Sequence, residues 1–318
     1  MRATLFAALA ALALSAPAAA FPEKPIRVII PTQQGGSTDA TARFLQEALQ
    51  RRNLLPQPLA IVNVPGAGGN VGTRQIKDAD PDGHTIGVWH TGLITAAAMG
   101  VADYDHNAFE LIAATGSIPL GLAVKEGGPI KDVKHLVETA KAKPNEVRIA
   151  TNIGLTVHFV PLLFEREAGM RMRFVQSGGG SRRLQFVLGD HSDVSLFSTQ
   201  EFVAYAPSGL KPIVLFTEKR LPRFPDLPTA RELGWDVVWS EQMLWLAPKN
   251  TPKARIDTIL NALKAAMDDP ELRKKFEEQM MEPVLLTGPE IKPQLDALRK
   301  RADAVAAEVK AAEQTQKQ

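Results

Sequence analysis

The stretch Ile26-Arg27-Val28-Ile29-Ile30-Pro31-Thr32-Gln33-Gln34-Gly35-Gly36-Ser37-Thr38-Asp39 passes from strand to polar loop to helix within a few residues. The β-branched run Ile26 to Ile30 has the composition of a short buried strand, and Pro31 stops it by withholding a ladder donor. Gly35 and Gly36 then free the backbone. Ser37 or Thr38 suits an N-cap and Asp39 a first turn. Phe44, Leu45, Ala48 and Leu49 follow at helical spacing. A helix that starts at a glycine turn presents unpaired N–H groups and a partial positive charge, which attract a carboxylate or phosphate. An ordinary capped α/β turn has the same spelling, so the functional reading depends on whether the pattern recurs.

Outward from that stretch, residues 1–20 contain Arg2, an apolar run from Ala3 to Leu14 and the small residues Ala18, Ala19 and Ala20. That pattern predicts a secretory signal peptide cut before Phe21, with an apolar run too short to span a bilayer. At 318 residues, and about 150 residues per domain, two domains are expected. A formal net charge of +2 supplies no field to attract nucleic acid, so no such partner is expected. The absence of cysteine excludes disulfides, thiolate metal sites and cysteine nucleophiles.

The strand, glycine loop, helix grammar does recur. Leu59 to Val64 reads as a second strand, and Pro65-Gly66-Ala67-Gly68-Gly69-Asn70-Val71-Gly72 leads into a helix at Thr73. This loop is not a dinucleotide fingerprint, because Val71 stands at the third glycine. No Gly-Lys-Ser/Thr phosphate loop exists either, and no cofactor is expected. Thr85 to Trp89 is a third strand, after which Trp89 and His90 could line a cleft or simply pack. His90 has no charge partner close by in sequence.

Leu111 to Ala114 and Leu120 to Val124 read as two strands flanking Thr115 to Pro119, where the chain first crosses between domains. Val147 to Ala150 is a strand before the polar loop Thr151-Asn152-Ile153-Gly154, and Val157 to Glu167 is helical despite Pro161. Met172 to Gln176 is a strand, and Ser177-Gly178-Gly179-Gly180-Ser181 opens a helix from Arg182 to Leu188. Asp193 to Phe197 and Lys211 to Phe216 are strands, the first followed by Ser198 and Thr199. Trp235 to Ala247 is extended and is the second crossing. Three helices close the chain: Ala254 to Met267, Glu271 to Met281 and Pro289 to Lys310. Beyond them the tail from Ala311 should fray.

The residues Phe21 to Pro31, Gly35-Gly36-Ser37-Thr38-Asp39, Asn63 to Gly72 and Pro81-Asp82-Gly83, in that order, resemble Bug-type solute-binding proteins, as do Leu227-Pro228-Thr229 and Leu246-Ala247-Pro248. Those proteins serve tripartite tricarboxylate transporters in the periplasm. The resemblance implies an α/β fold of the type II periplasmic binding protein kind. Its two domains would be residues 21–118 plus 243–318 and residues 119–242, each a sheet flanked by helices. A carboxylated ligand would lie in the cleft between them. The protein would be a monomer that delivers ligand to integral-membrane transporter subunits. By motif, the ligand loops would be Gly35, Gly36, Ser37, Thr38 and Asp39; Gly66, Ala67, Gly68, Gly69 and Asn70; Thr151 and Asn152; and Gly178, Gly179, Gly180 and Ser181. Ser198 and Thr199 would join them where relatives carry an acidic or amide residue. Gln33, Trp89, His90, Arg182 and Arg183 depart from the family pattern and are expected to bear on ligand specificity. An arginine reaching the cleft could grip a second carboxylate bidentately.

An enzyme would need a nucleophile, base and orienter, or a metal cluster, and the sequence spells neither. Gly35 to Asp39 lacks the closing glycine of a nucleophile elbow. Asp103, Asp105 and His106, and Asp190, His191 and Asp193, read as turn and surface residues without zinc or calcium spacing. A sensory protein that signals when loaded would use the same pocket as a transport receptor.

Overall fold

The computed structural model describes residues 21–316, so the expected leader at residues 1–20 lies outside the described residues. The β-branched run forms strand β1 (Ile26–Ile30), in which Val28, Ile29 and Ile30 are fully buried. Each of those side chains contributes roughly 1.5–3 kcal/mol by leaving water. Helix α1 (Ser37–Arg51) follows, then β2 (Leu59–Asn63), α2 (Asn70–Lys77), β3 (Thr85–His90) and α3 (Gly92–Ala98). β1 lies between β2 and β3, parallel to both. A strand flanked on both edges and covered on both faces needs a continuous apolar run, which is what Ile26 to Ile30 supplies apart from the exposed Arg27.

The sequence predicts two strands around Thr115 to Pro119, but the structure has one, β4 (Phe109–Lys125). Its register shifts between Leu111 and Ala113 and between Ala114 and Ser117. These bulges take up the irregular residues without ending the strand. The chain continues through α4 (Val133–Ala142), β5 (Arg148–Thr151), α5 (Thr156–Ala168), β6 (Arg173–Gln176), α6 (Gly180–Leu188), β7 (Val194–Ser198), α7 (Thr199–Tyr205) and β8 (Leu210–Leu215). It returns on β9 (Ser240–Pro248) and ends with α8 (Lys253–Met267), α9 (Pro270–Glu278), β10 (Leu286–Thr287) and α10 (Gly288–Gln316). Helix α7 and the short β10 are absent from the sequence reading. The second crossing becomes a strand only at Ser240, and helix α10 continues to Gln316 where fraying was expected from Ala311.

The strands form one sheet in the order β2-β1-β3-β9-β4-β7-β5-β6, with β8 and β10 also pairing β4. The first part of β4 pairs β9 from Phe109 to Pro119, and its last part pairs β7 and β8 from Leu120 onward. β4 therefore joins two half-sheets end to end. Because β1, β3, β5, β6 and β7 all run toward that junction, their C-terminal ends converge on it, the usual ligand position in open α/β sheets. One apolar cluster spans both halves, including Leu93 and Ile94 of α3, Phe159 and Val160 of α5, and Ile291 and Leu295 of α10.

Candidate functional site at the strand ends

The glycine turn after β1 is built differently from its spelling. Gly36, not Ser37 or Thr38, occupies the N-cap of α1, in extended backbone and without a side-chain cap. Asp39 sits at the third helical position and turns back. Its carboxylate accepts from Gly35 N at 3.0 Å, Arg43 Nε at 2.9 Å and Asn63 Nδ2 at 2.9 Å. Burial works against that charge, but Arg43, Gly35 and Asn63 together hold its carboxyl below the usual carboxylate range. Asp39 is thus a loop anchor with its charge neutralised by Arg43. The amides of Gly36, Ser37, Thr38 and Asp39, which precede the first helical bond from the Ala40 amide to the Gly36 carbonyl, are open donors of this 15-residue helix among the described residues.

The second loop follows β2 and lies against Trp89 near the end of β3. Residues Ala67–Gly69 form one 3-10 turn before α2. Gly68 and Gly69 adopt φ of +65° and +97°. A Cβ on Gly69 would lie 2.4 Å from the Trp89 ring, and one on Gly68 would lie 2.9 Å from Leu155. Glycine is therefore required twice over, by conformation and by close approach. Trp89 is buried beneath this loop, and its ring stacks at 4.0 Å on His90. The Gly69 amide donates back to Gly66, while Asn70 donates from Nδ2 to the Val101 carbonyl. Ala67 holds φ +44° at the tip of this turn. Gln33 is exposed in the loop after β1.

From the other half come the loops after β5, β6 and β7, where several of the expected ligand residues hold hydrogen bonds within the fold. The Thr151 hydroxyl is fully buried and donates to the Val157 carbonyl at 2.6 Å. Asn152 Oδ1 accepts from Gln176, whose own oxygen accepts from the Ile153 amide. Ser198 caps α7 in a reciprocal capping box with Glu201, and Thr199 Oγ1 donates to the Met280 carbonyl across the junction. Gly179 is the N-cap of α6, with Gly178 at φ +113° before it, and a Cβ on Gly180 would overlap Glu201. Ser181 lies in the first turn of that helix.

The two arginines of α6 both hold contacts within the fold. The Arg183 side chain is 8% exposed. It donates to the Leu196 and Gly178 carbonyls and pairs with Glu201 at 3.5 Å, beneath the glycine loop. Arg182 lies outward, stacked on Phe186 and bonded to Gln185. The sequence reading also placed His106 at the surface. It is buried, with Nε2 2.8 Å from Asp296. Asp103 pairs with Arg74 and Asp105 with Arg299 around an outer depression of about 530 Å³, so the acids there are already matched by cations.

Two kinds of group escaped the sequence reading. Thr32 and Thr91, at the ends of the neighbouring strands β1 and β3, bury hydroxyls that have no partner among the described residues. Glu241, at the start of β9, lies 3.1 Å from His90. Neither has a local signal, because each depends on which strand ends the sheet places side by side.

The profile of the TctC family, described as tripartite tricarboxylate transporter family receptor, matches residues 41–306. The "UPF0065 protein in gbd 5'region" of Cupriavidus necator is 30% identical, over 90% of this chain and 89% of its own length. The structure of periplasmic binding protein BugD superposes with a TM-score of 0.77 at 27% identity, covering 91% of this chain and 97% of that one. MatC from Rhodopseudomonas palustris with bound malate gives a TM-score of 0.80 at 24% identity, covering 90% and 100% respectively. The α/β architecture is therefore that of the periplasmic binding proteins.

Proposed function

This chain belongs to the tripartite tricarboxylate transporter receptor family, and from that premise we propose that it captures a small carboxylate-bearing solute in the periplasm and delivers it to integral-membrane transporter subunits. The observation that carries the proposal is the start of α1. Four open amides and the positive helix end sit at the C-terminal edge of the sheet, while the side chain of the neighbouring acid, Asp39, is turned inward onto Arg43. A carboxylate there would meet donors without meeting an unneutralised acid from the same helix. The Gly66 to Asn70 loop would face it from the adjoining strand, and the loops after β5, β6 and β7 would close over it.

Residues 21–118 plus 243–318 and residues 119–242 would be the two units that clasp the ligand, in a monomer exported by cleavage before Phe21. MatC, of the same fold, was solved with malate, which agrees with a carboxylate of a few carbons. The residues at the strand ends present binding groups without a nucleophile, base and orienter set, so the solute is expected to leave unchanged.

A thermal-shift screen of mono-, di- and tricarboxylates and amino acids, on protein beginning at Phe21, tests the proposal. A ligand at about 100 times its Kd should add roughly 2.7 kcal/mol of stability. Thr38→Val should weaken that ligand by about 0.5–1.5 kcal/mol if one hydroxyl contact is lost. Stabilisation by no carboxylate, or chemical conversion of the stabilising compound with repeated turnover, would sink it.

A further inference from the structure

Glu241 is an acid at the strand-end junction whose polar neighbour among the described residues is the His90 ring. It stands opposite Ile118 of β4, within the pairs that join the half-sheets, and its side chain is only 17% exposed. Among the described residues no N–H or O–H donates a hydrogen bond to it; the polar group against it is the His90 ring, with Nδ1 3.1 Å from Glu241 Oε1.

That ring nitrogen is already engaged. The Gly92 amide donates to His90 Nδ1 at 3.0 Å, so in this geometry Nδ1 acts as an acceptor. Glu241 Oε1 and His90 Nδ1 are therefore two acceptors facing each other, a contact that repels unless a donor joins them. The arginines of the surrounding loops do not supply it. Arg43 serves Asp39 and Asn63, and Arg183 serves Glu201 and two carbonyls. A mostly buried carboxylate that takes no donor from the chain is open to a cation brought by a ligand.

An ammonium group carries three donors and no acceptor, the complement of this pair. We propose that Glu241, held beside His90, is a second ligand anchor and selects for an ammonium group, so that the cleft takes an amino acid: its carboxylate at the start of α1, its amino group at Glu241. This rests on the carboxylate reading above. A second carboxylate brought to the same place would meet like charge instead, which disfavours plain dicarboxylates.

The test compares amino acids with their deaminated counterparts, L-aspartate against succinate, L-glutamate against glutarate and L-alanine against propionate. Each is titrated calorimetrically into the parent protein, Glu241→Gln and Glu241→Asp. The expected result is that amino acids bind and their counterparts bind at least ten-fold more weakly. Glu241→Gln should lose at least ten-fold in amino-acid affinity, and Glu241→Asp should keep the preference. Far-ultraviolet circular dichroism and melting of the unliganded variants check that they fold. Deaminated acids binding as tightly as amino acids, or Glu241→Gln leaving amino-acid affinity intact, would overturn the inference while leaving the carboxylate reading standing. Binding of no carboxylate of either class would remove both.

Discussion

His158 and Glu165 stand about two turns apart on α5 and respond to the proton in opposite senses. Burial pushes the His158 imidazole down to about 4, so Nδ1 stays free to accept from the Gly154 amide at 3.2 Å. The same burial pushes the Glu165 carboxyl up to about 7, against the opposing hydrogen bond from the Met172 amide. For His158 the folded value lies below the ordinary 6.5, so its contribution is present above 6.5 and is lost as pH falls toward 4. For Glu165 the folded value lies above the ordinary 4.5, so its contribution is present below 4.5 and is lost as pH rises through 7. Each amounts to about 3 kcal/mol across its window, and the two slopes nearly cancel between about pH 4.5 and 6.5. Glu165→Gln should expose the histidine slope, giving a variant whose urea midpoint rises steeply from about pH 4.5 to 6.5 while the parent's stays nearly level. Parallel pH profiles for the two proteins would contradict this.

Helix α5 also shows how an element can absorb a residue that breaks its rule. Pro161 has no N–H, so the Val157 carbonyl one turn earlier lacks its normal donor. The Thr151 hydroxyl supplies it at 2.6 Å. Thr151→Val should therefore cost about 1–3 kcal/mol, the penalty for a buried carbonyl left without a donor. In a Pro161→Ala background, where the substitution restores a backbone N–H that can take over, the same change should cost clearly less. Equal costs by denaturant unfolding would refute the pairing. The sequence shows both residues but not that they meet, so this use of the Thr151 hydroxyl is not legible in it. Ser198 was different, because Ser198-Thr199-Gln200-Glu201 spells a capping box that announces α7 and the use of its hydroxyl. The strand and helix of the first glycine turn were legible since their signals are local: β-branched burial, Pro31, then glycine before periodic apolar residues. Glu241 and His90 were illegible as a pair, because only the antiparallel register of β3 on β9 brings them together.

At the scale of the molecule, the chain passes between its halves on β4 and returns to β9, and these two strands pair at the junction through Ser117–Gln242, Ile118–Glu241 and Pro119–Ser240. Any parting of the halves must be absorbed beside that ladder, where the bulge between Ala114 and Ser117 already breaks regular pairing. Away from the ladder the halves touch again. Leu155 packs on Gly68, Thr95 and Thr156 lie 3.5 Å apart, and Val101 meets Gly154. If ligand enters by separation along this second seam, a covalent tie across it should stop exchange. A Cβ on Gly154 would lie 3.6 Å from the Val101 Cβ, within the roughly 3.5–4.5 Å that a disulfide needs. The natural chain has no cysteine, so Val101→Cys with Gly154→Cys can form one intramolecular bridge. Gly154 sits at φ +87°, where a side chain costs about 1–2 kcal/mol, while the closed loop returns roughly 4 kcal/mol in the chain-entropy model. The oxidised protein, loaded before oxidation, should release ligand at least a hundred-fold more slowly than the reduced protein, and dithiothreitol should restore the rate. Unchanged release from the fully oxidised form would mean that ligand reaches the strand ends without the halves parting at this seam.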